Sequence, residues 1–84
     1  MAYRISYKKS VSKDLASLPK AEARRVVDKL ERELTVRPNR CPPLKGPFAG
    51  LRRLRVGSYR VIFVVQDEQV LVLRIGHRRD VYEP

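Results

Sequence analysis

Gly57 and Ser58 stand between two strand-like runs, 51–56 and 59–65, and this pair constrains the fold more than any other feature of the chain. A Gly-X step between runs rich in β-branched and aromatic residues predicts a two-residue type II′ hairpin, whose loop length fixes the cross-strand register. Val56 then faces Tyr59, Arg55 faces Arg60, Leu54 faces Val61 and Arg53 faces Ile62. Side chains alternate across a strand, so Leu54, Val56, Tyr59, Val61, Phe63 and Val65 collect on one face, the predicted core. Arg53, Arg55 and Arg60 collect on the other. Like charges directly opposite one another destabilise a strand pair, so three arginines at such positions point to an anion rather than to stability.

The rest of the chain supplies what covers the apolar face. Tyr3 to Tyr7 alternates apolar and polar residues and predicts a first strand. Val11, Leu15 and Leu18 are at helical spacing within a short helix over 8–18, with Ser10 as its candidate cap. Pro19 is expected in the first turn of a second helix, and Glu22 sits near its positive end. Ala23, Val26, Val27, Leu30 and Leu34 continue as one apolar stripe, ending near Val36. Pro38, Pro42, Pro43, Gly46, Pro47 and Gly50 then predict a loop. Asp67 and Glu68 turn the chain into a last strand, Val70 to Ile75. A three-residue loop there would bury Leu71, Leu73 and Ile75 and set Arg74 beside Arg60; a two-residue loop would reverse the faces, and the first is favoured because it buries more apolar surface. The order predicts an α+β fold, with an N-terminal strand and a two-helix hairpin on one face of a small, mainly antiparallel sheet of about four strands. At 84 residues the chain is expected to form a single domain, 1–84.

Charge gives the partner class. The chain carries 19 Lys and Arg against 9 Asp and Glu, a formal charge of +10. Residues 1–36 mix nine basic with five acidic residues, whereas 37–60 holds Arg37, Arg40, Lys45, Arg52, Arg53, Arg55 and Arg60 with no acidic residue among them. A charged stripe on an open sheet face is commonly just a solvated face. Here the absence of acidic neighbours, and the predominance of arginine with its planar fork, favour phosphate and hence nucleic acid. The single cysteine, Cys41, cannot form an internal disulfide and reads as a loop residue rather than a nucleophile or zinc ligand. No apolar run is long enough for a secretory signal or a membrane span, so a cytoplasmic location and no membrane partner are expected. No His/Asp/Glu cluster has metal-ligand spacing, so no metal and no cofactor are expected.

The last nine residues, Gly76 to Pro84, leave the final strand near Arg60 in the proposed register, and could fold over the basic face. His77, the only histidine, has an ordinary pKa of about 6.5 suited to proton transfer. Tyr82 could pack, stack on a base or present its hydroxyl.

Three runs together, Leu44-Lys45-Gly46, then 54–63 with Gly57-Ser58-Tyr59-Arg60, then 75–82 with Gly76-His77-Arg78-Arg79 and Tyr82, resemble the RelE branch of the RelE/ParE toxin superfamily across essentially the whole chain. The resemblance implies a RelE-like fold and a type II toxin that cleaves messenger RNA in the ribosomal A site. It also implies a cognate acidic, RelB-like antitoxin as partner. Carried over residue by residue, it implies phosphate contacts from Arg53 and Arg60, a leaving-group role for Arg78 and proton abstraction from the 2′-hydroxyl by Tyr82. His77, standing where some members have lysine, could share the acid or base role. Lys45, Arg52, Arg55, Arg74 and Arg79 are expected to hold RNA phosphates. Leu51 departs from the pattern, because some members carry lysine there. Such a site needs no metal, since RNA supplies its own nucleophile; the expected products are a 2′,3′-cyclic phosphate and a 5′-hydroxyl. Two alternatives belong to other classes: a ParE-like inhibitor of DNA gyrase, and a noncatalytic RNA- or ribosome-binding protein.

Overall fold

A computed structural model describes residues 2–77. It contains β1 (Arg4–Tyr7), α1 (Val11–Ala16), α2 (Lys20–Leu34), β2 (Arg52–Val56), β3 (Tyr59–Gln66) and β4 (Gln69–His77). The four strands form one sheet in the order β1-β4-β3-β2, with β1 parallel to β4 and the other pairs antiparallel. The helical hairpin lies on one face, α1 against β4 and α2 against β2.

The apolar stripe of α2 explains this packing. Val26, Leu30 and Leu34 recur every four residues and are fully buried, together with Val11 of α1, against Val56, Val61, Phe63, Val70, Val72 and Ile75 of the sheet. Each such side chain contributes about 1.5–3 kcal/mol relative to an exposed one. The helix ends differ from expectation. The first is confined to Val11–Ala16, and Ser10 is itself helical, at φ −64° and ψ −15°, with no side-chain cap bond. Pro19 is extended, at φ −55° and ψ 143°, and precedes α2 rather than lying in its first turn. The second helix closes at Leu34, two residues before Val36.

The β2–β3 hairpin has the predicted register at all four pairs, from Arg53↔Ile62 to Val56↔Tyr59. Gly57 has φ +59° and Ser58 does not share that sign, as a type II′ turn requires. A Cβ at Gly57 would also lie 2.5 Å from Nη2 of Arg25. The β3–β4 register corrects the sequence reading. The loop has two residues, with Val65↔Val70 and Gln66↔Gln69 paired, so Val70 and Val72 are buried while Leu71 and Leu73 are only half-buried. The run Val-Leu-Val-Leu is apolar on both faces, so buried area could not choose between them; Asp67 takes φ +55°, which an Asp tolerates and the short loop exploits. A bulge between Ile62 and Phe63 lets the strand skip Leu73, returning Ile75 to the core opposite Val61. Arg74 therefore faces Ile62, and Gly76, not Arg74, lies beside Arg60.

β1 ends its pairing at Val72, leaving the far end of β4 as a bare edge. α1 closes it. Lys8 N–H donates to the Val72 carbonyl (2.9 Å), and Ile75 N–H donates to Asp14 Oδ2 (2.9 Å), with Arg74 Nε 4.0 Å from the same oxygen. Asp14→Ala orphans that partly buried N–H and should cost about 1–3 kcal/mol in urea unfolding, whereas Asp14→Asn keeps an acceptor and should recover at least half of the loss.

The Pro/Gly-rich segment is a loop, as expected, yet an ordered one. It forms 3-10 turns at Pro38–Arg40 and Gly46–Phe48 and is pinned to the free edge of β2. Arg53 N–H donates to the Pro42 carbonyl (3.2 Å) and Leu44 N–H to the Leu51 carbonyl (2.9 Å).

Candidate functional site

Arg53 turns its backbone N–H outward to Pro42, so the alternation of an antiparallel ladder makes Arg55↔Arg60 a non-hydrogen-bonded pair. In such a pair the Cα atoms approach to about 4.5 Å and the side chains lie close. Three arginines therefore share the open face of the sheet, with Arg53 and Arg60 half-buried and Arg55 exposed. Between Arg53 and Arg74 in register, Ile62 is only 5% exposed, although it lies on the face opposite the helices. An apolar floor beneath guanidinium groups limits their hydration and strengthens their attraction for an anion.

The structure does not bring every candidate to this face. Arg52 pairs with Phe63 and so belongs to the helix-covered side. Its Nη1 donates to the carbonyls of Cys41 (2.6 Å) and Asn39 (3.3 Å), which makes it a clamp on the preceding loop. Arg52→Ala should lower stability by about 1–3 kcal/mol in a thermal melt. His77 lies opposite Tyr59, and the two rings meet edge to face at 6.1 Å and 82°. Since Tyr59 shares the face of Val61 and Phe63, this geometry turns His77 away from the arginine face. Arg74 does share the open face, through its register with Ile62, with its Nε 4.0 Å from Asp14 Oδ2 at the sheet edge, whereas Lys45 is exposed on the loop. Arg78, Arg79 and Tyr82 lie outside the described residues.

Two further arginines of the basic run enter the picture at the β2 edge. A cavity of about 420 Å³ there is lined by Glu33, Arg37, Arg40, Cys41, Pro42, Arg53, Leu54 and Arg55. Sequence reasoning counted Arg37 and Arg40 among the basic residues without giving them a place, because only the loop's attachment to β2 carries them to Arg53 and Arg55. Burial pushes the Cys41 thiol above its ordinary pKa, against the opposing charge of Arg52, so it is a protonated wall group at neutral pH. Among the described residues no three or more His, Cys, Asp or Glu side chains cluster as metal ligands would, and no helix is long and apolar enough to cross a membrane.

Comparison with known proteins places this geometry in context. Residues 5–82 match the family described as the ParE toxin of the type II toxin–antitoxin system parDE. The chain is 33% identical over 85 residues to Toxin RelG of Mycobacterium tuberculosis, covering 98% of each sequence. Among solved structures, the RelBE2 toxin–antitoxin complex of M. tuberculosis aligns with a TM-score of 0.87 at 31% identity, over 95% of both chains. The archaeal RelE–RelB complex of Pyrococcus horikoshii aligns with a TM-score of 0.68 at 38% identity, over 95% of this chain and 99% of that one.

Proposed function

This chain belongs to the RelE/ParE toxin superfamily of type II toxin–antitoxin systems, and from that premise we propose that it is a ribosome-dependent messenger RNA endonuclease. The observation that carries the reading is the convergence of Arg53, Arg55 and Arg60 on one open sheet face, in a register that places like charges against each other. An RNA phosphate between them converts mutual repulsion into charge-assisted hydrogen bonding, and the same donors stabilise the extra negative charge that develops when a 2′-oxygen attacks phosphorus.

The step itself balances with no reactant beyond solvent water. The 2′-oxygen bonds to phosphorus as the P–O5′ bond breaks, its proton passes to the phenolate of Tyr82, assigned here as base, and the leaving 5′-oxygen takes a proton from solvent water, giving a 2′,3′-cyclic phosphate and a 5′-hydroxyl. Arg78 serves the leaving oxygen. His77 takes no role while its ring stays against Tyr59. Such a set binds phosphate strongly but orients a flexible strand weakly, which is the chemical reason to assign alignment to the ribosome. The excess of positive charge steers the protein to ribosomal RNA in the cytoplasm, and an acidic antitoxin of the RelB kind neutralises it at rest.

A gyrase-directed reading is favoured by the ParE description of the matching family, and one experiment separates the two. Added to a cell-free translation system, the protein should cut the translated message and leave an untranslated copy intact. In a parallel reaction it should leave DNA supercoiling by gyrase unchanged. Arrest of supercoiling with an intact message would overturn the nuclease reading.

A further inference from the structure

We infer that the cavity at the β2 edge is a second phosphate subsite, which holds a nucleotide flanking the scissile bond of the same RNA strand. The inference rests on the nuclease reading for its substrate, and adds to it Arg37 and Arg40 as binding residues. Arg53 and Arg55 belong to two surfaces at once. Their register sets them on the open face, and they also line the cavity, with Arg37 and Arg40 on its far wall. A single strand leaving the sheet face across β2 would therefore pass from one pair of arginines to the other, over Cys41, Pro42 and Leu54 between them. Glu33 is the one carboxylate in the lining, set against four guanidinium groups.

The backbone that carries the exposed Arg37 and Arg40 side chains is held in place by its own hydrogen bonds. Arg37 N–H donates to the Glu33 carbonyl (2.8 Å) and extends the end of α2, and Arg40 N–H donates back to the Arg37 carbonyl (3.2 Å). The clamp from Arg52 to Cys41 and Asn39 then fixes this turn to β2. Among the described residues, neither Arg37 nor Arg40 spends its side chain on an ion pair. Ordering these positions in advance lowers the entropy cost of binding. Nucleic acid suits this wall better than an acidic protein does. Planar forks recognise phosphate in two-point fashion, whereas the apolar surface a protein partner needs lies elsewhere, in the groove lined by Tyr7, Val11, Leu15 and Val27.

The test measures binding of the purified protein to uncleavable, fully 2′-O-methylated oligoribonucleotides: a trinucleotide, and hexanucleotides extended on its 5′ or 3′ side. Wild type should bind one hexanucleotide about tenfold more tightly than the trinucleotide, and Arg37→Ala/Arg40→Ala should erase that advantage. The salt dependence of hexanucleotide binding should fall by about 1.4 in logarithmic slope, at about 0.7 per phosphate contact on a single strand. Lys13→Ala/Lys20→Ala, an equal change of charge away from the cavity, should keep the advantage. Glu33→Gln should strengthen hexanucleotide binding, a gain that misfolding cannot imitate. Retention of the length advantage by the double arginine variant, or its equal loss in the lysine control, would overturn the subsite. So would undiminished RNA binding by the arginine variant together with weakened binding of an acidic antitoxin, which would assign the cavity to protein. Failure of the nuclease reading shows separately, as an uncut message with wild type.

Discussion

Arg60→Ala is expected to lower message cleavage by about 10²–10³-fold, the usual loss when one donor to a developing oxyanion is removed. Stability should change by at most about 1–2 kcal/mol, because relief of the repulsion with Arg55 across the strand pair offsets part of what the half-buried Arg60 side chain contributes. The two readouts together distinguish chemistry from folding. Quantifying truncated message by primer extension, alongside a thermal melt of each protein, checks the prediction. Arg60→Lys retains the charge and loses the fork, so it should recover only part of the rate. Loss of cleavage with an equal loss of folded protein would remove Arg60 from the site.

The second large effect is on the fold. Phe63 is fully buried at the centre of the sheet, beneath α2 and next to the bulge that sets the β4 register. Phe63→Ala should cost about 3–5 kcal/mol through lost burial and the cavity left behind. In a domain of 84 residues that is a large part of total stability, so the variant should melt at least about 12 °C lower. Phe63→Leu should lose less than half as much. If Phe63→Ala melts within a few degrees of wild type, the core is not centred where the structure places it.

These predictions show which parts of the molecule can be read from sequence. Gly57-Ser58 determined the β2–β3 register because a two-residue loop leaves no freedom, and the arginine face followed from alternation alone. The β4 register was not legible, since Val70, Leu71, Val72 and Leu73 offer apolar groups to both faces and a bulge carries no local signature. Pairing of β1 with β4, and the use of Asp14 to close the remaining edge, are long-range choices that no local pattern encodes. Arg52 and Arg53 are neighbours with the same side chain, and only strand parity separates a loop clamp from an arginine of the open face. For His77 the deciding fact was again parity, because its place opposite Tyr59 turns it from the arginines. Arg37 and Arg40 needed the tertiary attachment of the loop before they could be located.

The central claim is metal-independent cleavage through the 2′-hydroxyl, and the cut ends test it most directly. Message fragments released in the translation reaction should carry 5′-hydroxyl ends, labelled by polynucleotide kinase without prior phosphatase, and upstream 2′,3′-cyclic phosphates. Fragments bearing 5′-phosphates, refractory to that labelling until dephosphorylated, would contradict the account.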